Sequence, residues 1–259
     1  MTAASTTMQP APKVSALTWV NVFSRLLAMQ GSWNYETLLG NGIAFCVEPA
    51  LRMLPGGVHG PHFKAAMARE GAYFNAHPYL ASVAVGALAR AELSGVNPAH
   101  IERFRTALCG PLGSVGDRLV WAGWLPFCSL IGLLCFGFGA GPAVVLVTFF
   151  VLYNAGHLAL RAWGLHVGWT YGLNVASALA NPVLRQGPAH LSRAAAATAG
   201  VALPLTAARL LGHHVALLGV VLAGAALAAV VLVRLHGRIE GYKVALVLIA
   251  LFALVSVIR

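Results

Sequence analysis

The chain has 259 residues, 59% of them hydrophobic and only 9% charged, where soluble domains carry about 25% charged residues; its mean hydropathy is +0.77. This excludes a soluble domain and points to an all-α integral membrane protein. The net charge of +10 does not point to nucleic acid, because the basic residues form no dense patch with interleaved aromatics. They are spread along the chain, as topology signals are.

Residues 1–14 read as a disordered tail, without the basic start and apolar core of a cleaved signal peptide. Residues 15–118 form an N-terminal helical region in which charges recur and no clean span of about 20 apolar residues appears. Its expected elements are an amphipathic helix at 15–30, a helix at 37–54 interrupted by Glu48 and Pro49, helices at 62–74 and 78–94, and one from Asn97-Pro98 to about Leu108. Segments of this half are expected to be partly embedded, re-entrant or broken.

From Leu119 to Leu160 there are 42 residues without a charge, about twice what one span needs. Gly137, Gly139, Gly141 and Pro142 interrupt the run, which predicts a transmembrane hairpin. An interfacial helix is expected at 163–182, with Trp163, Trp169 and Tyr171 as anchors. Further apolar segments follow at 194–211, 213–233 and 243–258. Fifteen of the 17 Lys and Arg then fall on one side, leaving only Arg209 and Arg259 opposite. This asymmetry places residues 1–118, 161–193 and 234–243 on the cytoplasmic side and the C-terminus outside.

Three polar, aromatic islands stand out. GSWNYE (Gly31–Glu36) holds Trp33, Asn34 and Glu36; a carboxylate and an amide suit sugar hydroxyls, and a flat ring packs on a sugar's C–H face. If helical, it places Ser32 and Glu36 on one face. The bland alternative is an interfacial aromatic anchor. FNAHPY (Phe74–Tyr79) puts Asn75 and His77 just before Pro78, where the backbone is pushed out of the helical region. Broken segments of this kind form binding sites in transporters, although Asn75 also suits a helix N-cap. GPLGSVGD (Gly110–Asp117) lacks the GK[ST] ending of a phosphate-binding loop and reads as a tight turn or close-packing segment, with Asp117 a secondary candidate. Asn154, His157 and Arg161 share a helix face: the first two read as interhelical hydrogen-bonding residues and Arg161 as an interfacial cation. The four cysteines read as packing residues, no metal site is expected from His59 and His62, and no hydrolase motif or cofactor fingerprint occurs.

In sequence order these islands resemble the IID component of mannose/fructose/sorbose-type phosphoenolpyruvate-dependent sugar phosphotransferase systems. GPLGSVGD is similar to the family's GPLAGIGD, and Tyr153–Trp169 to a further signature, while Ala76 stands where the family usually has Thr and Thr37 where it commonly has Arg. The resemblance implies a non-catalytic subunit of the bacterial inner membrane, paired with a IIC subunit in an oligomer of IIC–IID pairs, moving a hexose by an elevator-type displacement. Cytoplasmic IIA and IIB proteins would supply the phosphate through their own histidines. It implies a substrate-binding set of Glu36, Asn34, Asn75 and His77, with Trp33 and Asp117 weaker. The alternative is an orphan regulatory or interaction subunit that retains the fold without transporting.

Overall fold

The computed structural model describes residues 13–175, 180 and 182–211, with a few positions between 219 and 230. The tail at 1–12, the 234–243 loop, the segment 243–258 and the C-terminus lie outside the described residues, as does most of 213–233. Among the described residues the regular elements are all helical.

Helix α1 (Ala16–Ala28) is capped by Ser15, whose hydroxyl accepts from the Thr18 amide at 3.1 Å. It buries Val22 and Leu26 on one face, and also leaves the apolar Leu17 and Val20 exposed. Helix α2 (Gly40–Leu51) is not broken at Glu48-Pro49 as expected. Pro49 has no amide to give the carbonyl four residues back, that of Phe45. Arg25 from α1 donates to that carbonyl at 2.8 Å and to Glu48 at 2.8 Å, so the neighbouring helix repairs the proline defect.

Helices α3 (Pro61–Glu70) and α4 (Ala81–Leu93) follow, and α4 is buried from Ala81 to Glu92. Helix α5 (Pro98–Gly116) does not stop near Leu108, and GPLGSVGD is helical rather than a tight turn. It continues through a π-helical stretch at Asp117–Trp124 into α6 (Leu125–Gly137). The 40 residues from Pro98 to Gly137 thus form one rod, about 60 Å long at 1.5 Å per residue. Gly116 is buried and packed against His77, whereas Gly110 and Gly113 have open space around them.

At the junction of α3, α4 and α5, Arg69 makes a bidentate pair with Glu92 at 2.8 and 2.9 Å. Arg105 pairs with the fully buried Glu70 and also donates to the Ala72 carbonyl at 2.8 Å. Burial pushes the Glu70 carboxyl up to about 8, against the pull of Arg105 and with the help of the nearby Glu92 charge.

The expected hairpin is present: α6 turns at Phe138–Gly141 into α7 (Pro142–Tyr171). Where a separate interfacial helix was expected at 163–182, α7 runs through Trp163 and Trp169 without a break, so no new helix starts at 163; residues 176–179 and 181 lie outside the described residues. Its C-terminal half packs against α4. A Cβ added at Gly164 would overlap the Ser82 hydroxyl, and one at Gly168 the Val83 carbonyl, so this small-xxx-small pair lets the two helices touch. Helix α8 (Pro182–Leu211) begins well before the expected residue 194 and returns along α6. Near its end, Arg209 donates to the carbonyls of Phe136 and Ala140, capping the hairpin turn. Among the described residues, three helices are long and apolar enough to cross a membrane, within Pro98–Gly137, Pro142–Asn174 and Leu184–Leu211.

Candidate functional site

GSWNYE is not a helix. After a single 3-10 turn at Met29–Ser32 the chain leaves helical geometry, so Ser32 and Glu36 do not share a helix face. Asn34 organises the next three residues. Its Oδ1 accepts from the amides of Glu36 and Thr37, both at 2.9 Å, and its amide donates to the Thr37 hydroxyl at 2.8 Å. This is an Asx turn. Leu38 then takes a left-handed φ of 51°, rare for a branched residue and maintained only where the surroundings fix it. The fixing partner is the second island. Phe74 donates to the Thr37 carbonyl at 3.1 Å, and Leu39 donates to the Phe74 carbonyl at 3.0 Å.

That pairing joins the first two islands. Glu36 and Asn75 flank it, and both are exposed. Trp33, 47% exposed, packs edge-on against Tyr35 with ring centroids 4.8 Å apart. His77 goes the other way and is buried. Its Nδ1 accepts from the Tyr79 amide at 3.2 Å, which places the imidazole proton on Nε2. Nε2 is buried without a protein partner among the described residues. Gly116 of the third island is the surface on which His77 rests, since a Cβ there would overlap the imidazole. Asp117 is exposed on the following residue. Two clefts among the described residues, one between the π-helical stretch, α7 and α8 and one between α1 and α7, are lined by none of Glu36, Asn34, Asn75 and His77. The three islands therefore form one contiguous region, with an exposed rim and a buried histidine.

Burial first, and the Arg161 charge second, hold His77 down at about 4 instead of 6.5. The folded state therefore resists protonation that the unfolded chain accepts. The His77 contribution to stability is present above about 6.5 and is lost as pH falls toward 4. Thermal unfolding followed across that window should show a downward slope in the native protein, and the slope should shrink in His77→Gln. Equal slopes in the two proteins would show that His77 titrates alike folded and unfolded.

Sequence reasoning missed the centre of this region. Tyr79 bonds the Tyr153 hydroxyl at 2.6 Å, and its ring lies 4.9 Å from His77 and 5.0 Å from His157. Trp121, from the π-helical stretch, lies 4.9 Å from His77. Arg161 is not an interfacial cation. It is 2% exposed, donates to the Leu26 carbonyl at the end of α1, and sits 4.7 Å over the Tyr79 ring. Asn154 bonds His157 at 3.0 Å on the same helix rather than bridging to another. A signal for Arg161 was available: it is the sole charged residue between Arg118 and Arg185, and an isolated ionisable residue in apolar sequence is a functional candidate.

The sequence profile of the mannose/fructose/sorbose-family IID component of the phosphotransferase system matches residues 13–197, which contain all three islands and the Arg161 cluster. The chain belongs to this family. It is 31% identical over 161 residues to the mannose-specific EIID component of Escherichia coli K12, covering 60% of this chain and 55% of that one. It is 31% identical over 175 residues to the sorbose-specific EIID component of Klebsiella pneumoniae, covering 64% and 61%. With the fructose permease IID component of Bacillus subtilis it shares 30% over 180 residues, covering 65% and 62%. The match thus spans a little over half the length of these relatives. Among solved structures, one of the mannose transporter ManYZ with microcin E492 superposes with a TM-score of 0.57 at 27% identity, covering 73% of this chain and 69% of that one. Another, described as a membrane protein, gives 0.64 at 25%, covering 73% and 70%. Family and apolar helices together make this a bacterial membrane protein of the IID type, with the helical fold of that family.

Proposed function

We propose that this IID component is the non-catalytic membrane subunit of a mannose-type phosphotransferase system. It pairs with a IIC-type subunit, in an oligomer of such pairs, to bind a hexose and carry it across the inner membrane by an elevator-type displacement. Cytoplasmic IIA and IIB proteins phosphorylate the sugar as it arrives. The observation that carries this reading is the backbone pairing of Thr37 and Leu39 with Phe74, which presents Glu36 and Asn75 together on an exposed rim. A sugar site needs exposed acceptors and donors on a fixed backbone, and this rim meets that need once a partner surface covers it. In this reading Glu36 and Asn75 contact the hydroxyls, and Trp33 offers a ring face. Asn34 and His77 position the two loops, and Asp117 lies at the edge. The multi-pass topology has the hairpin turn and the C-terminus outside the cytoplasm.

The test is uptake and phosphorylation of labelled mannose, fructose and sorbose by membranes with and without this subunit, each containing IIA, IIB and IIC proteins. Uptake that does not depend on the subunit would favour the alternative, a regulatory subunit that keeps the fold. Within the assembled complex, Glu36→Gln keeps the shape but removes a charge-assisted bond worth about 1.5–3 kcal/mol. Sugar affinity should fall roughly tenfold or more. Unchanged affinity would remove Glu36 from the site.

A further inference from the structure

A cleft of about 730 Å³ opens between the π-helical stretch, α7 and α8, within the size range of small-molecule sites. Tyr79 lines it, and most of the lining is apolar or aromatic, including Leu119, Val120, Trp124, Trp163 and Leu191, with His157, Gln186 and His190 as its polar members. A hexose needs a hydrogen-bonding partner for most of its hydroxyls, and this lining offers few. Water at membrane depth would gain equally little there. An acyl chain fits both the depth and the chemistry. The edge of the cleft is different in character. Arg118 immediately precedes Leu119, and Arg185 stands between Leu184 and Gln186, which both line the cleft. A Cβ at Gly187 would lie 3.2 Å from the Leu119 side chain, so the two strips of chain are in contact. Arg118 and Arg185 are exposed, and neither forms an ion pair with a described residue. Arg118 gives its Nε–H to the Ser114 carbonyl, which leaves its terminal nitrogens to outside partners. Arg185 is in the first turn of α8, where exposed amides add positive potential.

We propose that this cleft is a binding site for an anionic phospholipid, with an acyl chain between α7 and α8 and the headgroup phosphate on Arg118 and Arg185. Anionic lipids are attracted by about 1 kcal/mol for each basic side chain near the surface. The site is separate from the sugar rim, and its test does not use sugar.

The full chain, co-produced with its IIC-type partner, is reconstituted into vesicles of phosphatidylcholine containing a minor fraction of brominated phosphatidylglycerol or, separately, brominated phosphatidylcholine. Trp124 and Trp163 line the cleft and report bromine by fluorescence quenching. Brominated phosphatidylglycerol should quench more strongly than brominated phosphatidylcholine at equal content. The preference should weaken about fivefold for each arginine removed in Arg118→Gln and Arg185→Gln, and survive in Arg118→Lys/Arg185→Lys. Ala159→Phe, which narrows the cleft, should abolish the excess while leaving the common quenching by surrounding lipid. Equal quenching by the two lipids overturns the proposal. So does an excess that persists in Ala159→Phe, which would place the lipid outside the cleft. Tryptophans shielded from both lipids would mean that protein fills the cleft, from residues 212–259 or from the partner, and would also overturn it.

Discussion

Arg161→Leu is expected to lower the unfolding midpoint of the purified complex by roughly 10 °C. Among the described residues, Arg161 is the one charged side chain that reaches from α7 to both α1 and the FNAHPY loop. The Leu26 carbonyl it serves lies in the last turn of α1, where intrahelical donors run out. Losing a hydrogen bond to a charged group costs about 1.5–3 kcal/mol, and a desolvated cation–ring contact adds about 1–2 kcal/mol. At about 2–4 °C per kcal/mol for a chain of this size, the total corresponds to that fall. The opposing effect is the cost of burying the guanidinium, whose Nε has no protein partner among the described residues. If that cost dominated, leucine would leave the midpoint unchanged or raise it. Arg161→Lys separates the possibilities. Lysine keeps the charge but lacks the planar fork that serves a carbonyl and a ring together, so its midpoint should fall between arginine and leucine. Trypsin cleavage at Arg25 supplies a second readout, because α1 should become accessible in the leucine variant and not in a merely less stable one held well below its midpoint.

The hairpin was legible because its signal is local: a long uncharged run with glycines and a proline at its middle permits little else. The break before Pro78 was legible for the same reason. The failures share another cause. GPLGSVGD contains the residues of a turn, yet it is helical, and its Gly116 serves as the seat of His77, a residue distant in sequence. Pro49 has the character of a helix stop, yet α2 continues because Arg25, distant in sequence, donates to the carbonyl that Pro49 leaves unpaired. A separate interfacial helix was expected at 163–182; α7 instead runs through Trp163 and Trp169 without a break, with Arg161 buried against α1. In each case the segment meets a tertiary partner, and no window of sequence contains that partner.

The candidate site divides in the same way. The islands were visible as polar, aromatic breaks in apolar sequence, but the roles within them depended on direction. Asn34 and Glu36 are two residues apart; one turns inward to tie its own loop and the other faces out. Asn75 and His77 diverge likewise, one to the surface and one to the interior. Composition does not distinguish the members of either pair, and only the backbone pairing with Phe74 separates them.

The second large effect is expected at Arg105. Glu70 is fully buried, one of its oxygens has no hydrogen-bond partner among the described residues, and Arg105 is the cation paired with it. Arg105→Met removes that cation while leaving the carboxyl and the Ala72 carbonyl behind, and breaking a buried pair from one side costs about 3–5 kcal/mol. The loss should depend on pH. A carboxyl whose folded value is raised binds more protons folded than unfolded, so its stabilising contribution is complete below the unfolded value of 4.5 and is lost as pH rises through about 8. Without Arg105 the folded value rises further, so the variant should be closest to the native protein in mild acid and furthest from it in mild base. Without Arg105, the Glu70 carboxyl must either hold a proton or stand as an unpaired buried charge. Glu70→Gln/Arg105→Met puts in its place an amide that is neutral at every pH, and should recover much of the loss, with a flatter pH dependence. Unfolding midpoints of the native protein, both single variants and the double variant, measured between pH 5 and pH 8, complete the cycle. A double variant as unstable as Arg105→Met at every pH would mean that Arg105 stabilises the α3–α4–α5 junction through its packing and its bond to Ala72, and that the Glu70 charge is incidental.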